Sequence, residues 1–271
     1  MWTLFEPLHA VTYFAPEARE HFEAAGLRGF WRGYFAGRAA VLGPVGPAPV
    51  VAAFFGFAPA TVARALPDVW SRATPAAALQ ARQAGAVAAL KGLLAGVGTE
   101  RIAEAAELLS QTALAADTAG RVLGAANLAL PMPDDPYARL WQAATVLREH
   151  RGDGHVAALV TAGLDGCEAL AWRSGLDLSR ETLQPARGWT DEEWASAIGR
   201  LHQRGWLTSA GTATTTAVEA YRRIEAITDD AAMRPWRALG STGRLVELLT
   251  PLARAAARSI PAINPIGLPR V

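Results

Sequence analysis

The densest group of reactive side chains in this 271-residue chain is Arg148-Glu149-His150-Arg151-Gly152-Asp153-Gly154-His155. Imidazoles can gain or lose a proton near neutrality, carboxylates can orient them, and guanidiniums can hold a carboxylate or phosphate. Gly152 and Gly154 permit tight backbone geometry, so the segment reads as a turn. One helix would end near His150 and the next begin near Gly154, with both histidines facing one cavity. On that reading His150, Asp153 and His155 are acid–base candidates and Arg151 is an anion holder. The competing reading is an elaborate turn, with Asp153 capping the following helix and His150 at a helix C-terminus.

Two more groups point the same way. Glu6-x-x-His9-x-x-x-Tyr13 puts Glu6, His9 and Tyr13 on one helical face, with His9 a further acid–base candidate. Glu-x-x-His is half of a carboxylate-bridged di-metal pattern. No second copy occurs, so no metal site is assigned and the residues specify no cofactor. In Phe30-Trp31-Arg32-Gly33-Tyr34-Phe35-x-x-Arg38, helical spacing places Trp31, Tyr34, Phe35 and Arg38 on one face. Together with Arg32, and closed by Phe57, that face suits a flat, partly anionic ligand. It also suits an ordinary core helix with arginine at its edge. His21 and His202 read as structural or exposed.

These residues need elements to position them. With 51% hydrophobic and 19% charged residues and a net charge of +1, the chain is globular and not a general nucleic-acid binder. A single cysteine, Cys167, excludes an internal disulfide and reads as a small core residue suited to a reducing cytoplasm. The N-terminus lacks a signal-peptide pattern. Ala39 to Ala63 is uncharged, but four prolines and three glycines forbid a membrane helix, so it reads as a buried, irregular crossing. No phosphate-cradling, dinucleotide or nucleophile-elbow motif is present. Up to residue 150 the pattern is helices punctuated by Pro and Gly, including one from Glu100 to about Leu130. Gly154 to Arg173 reads as a helix, followed by a polar connection to Gly188. Thr190-Asp191-Glu192-Glu193 is a capping box that opens a helix burying Trp194, Ile198 and Leu201. Two short β-prone pieces follow, around Ser209-Ala210-Gly211, and then a helix from about Ala217.

The stretch "RLHQRGWLTSAGTATTTAVEAYRRIEAITD" resembles the helix-wing-helix end of MarR-like regulators. The stretches "EPLHAVTYFAPEAR", "GFWRGYFAGRAAVLGPVG", "FFGFAPATVARALPDVW" and "LREHRGDGHVAAL" resemble an actinobacterial family of helix-turn-helix-containing proteins. The resemblance implies a mainly α fold, an N-terminal multi-helix domain (1–150) packed on a C-terminal winged helix-turn-helix domain (151–233). A C-terminal helix and Pro-rich basic tail (234–271) follow. From Trp189 to Asp230 seven acids face four arginines, and the wing has no cation, which disfavours DNA. The expectation is a cytoplasmic protein, not membrane-bound, that binds a small molecule between its two parts. Acid–base chemistry is open and a homodimer is admitted. The alternative is a ligand-responsive winged-helix transcription regulator.

Overall fold

The computed structural model describes residues 1–269, so Arg270 of the basic tail and Val271 lie outside the described residues. The chain opens with α1 (Trp2–Phe14), α2 (Pro16–Ala24) and α3 (Phe30–Ala39), the last extended by a 3-10 turn at Ala40–Leu42. The crossing expected as irregular chain contains a helix, α4 (Pro47–Phe54), and Pro59 opens the short helix α5 (Pro59–Ala63), as a proline at a first helical position predicts. Pro47, Pro49 and Pro59 sit in first turns, where no N–H is missed and the fixed φ is already helical. The same device opens α6 (Pro75–Leu93), with Thr74 accepting from the Ala77 N–H. The long helix expected after Thr99 is two, α7 (Thr99–Leu114) and α8 (Val122–Leu128), because Gly120 at φ +73° turns the chain between them.

The largest departure from expectation is α9 (Pro136–Thr161), which runs straight through the anticipated turn at 150–155. Asp135 caps it, accepting from the Tyr137 and Ala138 N–H groups at 3.0 Å. Gly152 and Gly154 weaken a helix locally by about 1 kcal/mol each, but tertiary packing outweighs this. A Cβ at Gly154 would meet the Arg121 guanidinium at 2.6 Å. From that gap Arg121 donates to the carbonyls of His150 and Ala231, both at 2.6 Å. Glycine here is a seat for arginine, and the expected boundary at residue 150 has a continuous helix across it.

After α9 come α10 (Gly166–Ser174), α11 (Arg180–Arg187), which replaces the expected polar connection, and α12 (Asp191–Gln203). Gly188, left-handed at φ +74°, turns α11 into α12. Thr190 and Glu193 form the capping box that the spacing predicts. The β-prone pieces make one antiparallel bridge, Leu207 to Ala213. The last elements are α13 (Thr215–Ala232), the single turn α14 (Arg234–Arg237) and α15 (Gly243–Ala256).

Three apolar cores result. One joins α1, α6, α7, α9 and α15; another joins α2, α3, the crossing and α6; the third joins the end of α9 to α10–α13. At 1.5 Å per residue α9 is about 39 Å long, and it lends Trp141 and Leu147 to the first core and Leu159 to the third. Among the described residues no single helix is long and apolar enough to cross a membrane. The pair Phe30–Leu42 and Pro47–Phe54 passes by composition but meets at 93°.

Candidate functional site

Where α1, α3 and α9 meet, ionisable groups are buried together. Arg38 donates twice to Glu149, Nε to Oε1 and Nη2 to Oε2, both at 2.8 Å. Arg148 donates to the same carboxylate at 2.7 Å and lies 3.8 Å from Glu6. Burial alone would raise the Glu149 carboxyl, but Arg148 and Arg38 hold it far below the usual range. Burial does raise Glu6, against Arg148. One carboxylate thus bridges two arginines and a second lies close to one of them.

His9 sits deep beside this group. Its Nδ1 is 2.9 Å from Thr145 Oγ1 and its Nε2 is 2.9 Å from the Tyr13 hydroxyl. Thr145 spends its proton on the Trp141 carbonyl at 2.8 Å. Nδ1 must therefore donate and Nε2 accept from Tyr13, a neutral imidazole with both nitrogens engaged. Burial, followed by Arg148, pushes its pKa well below the usual value, in keeping with that assignment.

Outward from the ionic group lies a cavity of about 200 Å³ between the N-terminal helices and α10, α11 and α13. Tyr34, Arg38 and the Phe54–Phe57 bend wall one side; Trp172, Arg187 and Tyr221 wall the other. Arg148, Gly152 and His155 of α9 form the floor and also line an adjoining crevice that reaches Glu6 and Arg151. The bend is strained. Phe55 has φ +57° and ψ −58°, and the Gly56 N–H bonds the Phe54 carbonyl at 2.6 Å, a γ-turn rarely held by a bulky residue. What holds it is close packing: a Cβ on Gly166, at the start of α10, would collide with the Phe55 carbonyl.

The structure distributes the sequence-predicted residues in three ways. Tyr34, Arg38, Phe57 and His155 line the cavity, and Glu6, Arg151 and His155 line the crevice. Trp31 and Phe35 stack in the second core, and Arg32 sits at the surface 3.9 Å from Asp68. Tyr13 and His9 belong to the buried network. His150 and His155 do not share a cavity, because five helical steps rotate them apart. His150 bonds Asp117 at 2.9 Å, whereas His155 Nδ1 meets Thr228 at 3.0 Å. Asp153 neither orients a histidine nor caps a helix in its own chain segment. It accepts from the Gly124 N–H at 2.8 Å, serving the first turn of α8, and burial raises it to about 6. Among the described residues no three His, Cys, Asp or Glu side chains converge as metal ligands. Burial pushes the Cys167 thiol up to about 12, as for an inert core residue.

Sequence reasoning missed Trp172, Arg187 and Tyr221. Arg187 is legible afterwards as the residue before a Gly-Trp turn; the other two carry no local signal.

The arrangement is that of a mainly helical protein whose α11–Gly188–α12 unit packs on a larger helical body. A helix-turn-helix family matches residues 1–262, and the chain belongs to it. No curated protein and no solved structure matches.

Proposed function

We propose that this protein binds a small molecule in the cavity between its N-terminal helices and its helix-turn-helix, and that the helix-turn-helix reports whether the cavity is filled. The observation that carries this is the shared wall. Arg187 lies in the cavity and is also the last residue of α11. Its carbonyl accepts from the Ala58 N–H at 3.0 Å, and the Trp189 indole donates to the Gly56 carbonyl at 3.0 Å. A ligand seated there touches the turn that aims α12. On this reading α10–α12 and the Leu207–Ala213 bridge act as a reduced winged helix, with α12 in the recognition position, and residues 1–150 as the sensing body. His155 is a binding group, its Nε2 left to accept from a ligand, because Thr228 spends its own proton on the Ile224 carbonyl. The outward face of α12 begins with exposed Asp191, Glu192 and Glu193, which favours a protein contact as the output.

A second reading, a ligand-responsive DNA-binding regulator, is favoured by family membership and by exposed Ala195, Ser196 and Gly199, small enough for close approach of a groove. Mass spectrometry of the native protein before and after solvent extraction tests the first reading. A released small molecule, or a thermal shift from a fractionated cell extract, is expected; a bare mass and no shift from any fraction would overturn it. Labelled duplex DNA titrated at low and high salt decides the second. No binding at low salt removes the regulator.

A further inference from the structure

We infer that the cavity takes a molecule with one anionic head, a carboxylate or a phosphate, on an apolar planar body, and that Arg187 is the cation that receives the head. This rests on the ligand-binding reading above.

The argument begins with charge. Four guanidiniums line the cavity. Arg38 and Arg148 share Glu149, and Arg173 is paired with Asp177 through two bonds of 2.8 Å. Arg187 has no carboxylate partner among the described residues. It donates once, to the Pro265 carbonyl at 3.1 Å, and lies over the Phe57 ring at 4.6 Å. A guanidinium has five N–H groups, so most of its donor capacity is unspent. Burial, and then the neighbouring Arg38 and Arg148 charges, pull its pKa below the ordinary value, while Tyr34 opposes them. A half-buried guanidinium with no counter-charge and free N–H groups facing a cavity is a ready partner for an anion.

A second observation is independent of charge. Trp172 lines the same cavity, is 1% exposed, and its indole N–H is buried with no partner among the described residues. An orphaned donor and an unpaired cation in the walls of one cavity point to a missing acceptor. Apart from Tyr34 and His155, much of the rest of the wall is apolar or aromatic, with Phe54, Phe57, Leu159, Leu170 and Tyr221. One unpaired guanidinium matches a single head, and the planar faces match a ring.

Calorimetric titration of the full chain with benzoate, phenyl phosphate, benzyl alcohol and inorganic phosphate tests this. At least one of the two ring anions should bind more tightly than benzyl alcohol and than phosphate alone, and which one wins separates carboxylate from phosphate. Arg187→Gln should weaken that anion at least tenfold and benzyl alcohol by much less, with Arg187→Lys recovering part of the loss. Trp172→Phe should also weaken the anion several-fold relative to benzyl alcohol. The core volume it removes lowers stability and works against the gain from deleting an unsatisfied donor, so the affinity ratio is the readout. This second variant keeps the test valid if Arg187→Gln fails to fold. Benzyl alcohol binding as well as the anions would overturn the inference and leave the ligand-binding reading intact. Equal anion affinity in wild type and Arg187→Gln, or no binding of any probe at millimolar concentration, would also overturn it. Solvent extraction still decides the broader reading in that case.

Discussion

Glu149 is the residue on which the buried charges depend. It neutralises Arg38 and Arg148 at once, and Arg82, whose pKa burial lowers to about 10, lies close enough to feel it. Removing one member of a buried ion pair leaves the others uncompensated, at about 3–5 kcal/mol. Glu149→Ala should lose about that much in urea unfolding with an unchanged m-value; a loss below about 1 kcal/mol would mean that water already screens the group. Asp153 carries a pH signature. Its pKa is raised from an ordinary 3.8 to about 6, so the folded state holds the proton more tightly than the unfolded chain. The stability this contributes is complete below pH 3.8 and is lost as pH rises through 6. Asp153→Asn keeps an oxygen for the Gly124 N–H and cannot ionise. It should flatten the melting temperature between about pH 4 and 6 and gain about 1–2 kcal/mol at pH 8, after allowance for partial solvent access. A pH profile that matches wild type would refute this assignment. The pairings themselves were not legible. Arg38 and Glu149 are 111 residues apart, and only chain folding brings such partners together.

Among the elements, what the sequence announced was whatever is decided within a few residues. The Thr190–Glu193 box caps α12 where spacing predicts, and Thr74 and Asp135 cap α6 and α9 by the same local chemistry, because a cap needs only its own first turn. The Asp165–Glu168 box of α10 has the same signature but lies where the apolar pattern of Gly154 to Arg173 predicts one unbroken helix. The turn at 150–155 failed for the opposite reason. The intrinsic propensity of its glycines favours a break, whereas Arg121 and α13 supply the deciding contacts from elsewhere in the chain. Close approach makes Gly166 the sharpest probe of the cavity wall. Gly166→Ala would drive a methyl into the Phe55 carbonyl, costing about 1–3 kcal/mol. It should lower the melting temperature by several degrees and loosen the bend, seen as faster amide exchange at Gly56. A variant as stable as wild type would show that the γ-turn is not held by α10.

For the whole molecule, the two parts are joined by one rod. Residues of α9 on either side of position 150 belong to different cores, so a chain split at 150/151 cuts a helix and should give no soluble, cooperatively melting half. Two separately folded fragments with sharp transitions would restore an independent boundary there. The architecture was legible as Pro- and Gly-punctuated helices, and α12 with the turn after it as part of a winged-helix order. But α11, the first helix of the helix-turn-helix, lay hidden in a polar stretch with little apolar periodicity. Which helices touch was not legible, since the first core pairs Phe5 and Leu8 of α1 with Leu245, Leu249 and Leu252 of α15. That pairing has a consequence in time. As the protein is synthesised, α1 emerges early and has no complete core to join until α15 follows. Until then its apolar face is open to chaperones and to wrong partners. Folding therefore finishes late, and a chain that stops before Gly243 should be cleared rather than stored, because its earliest helix never finds its place.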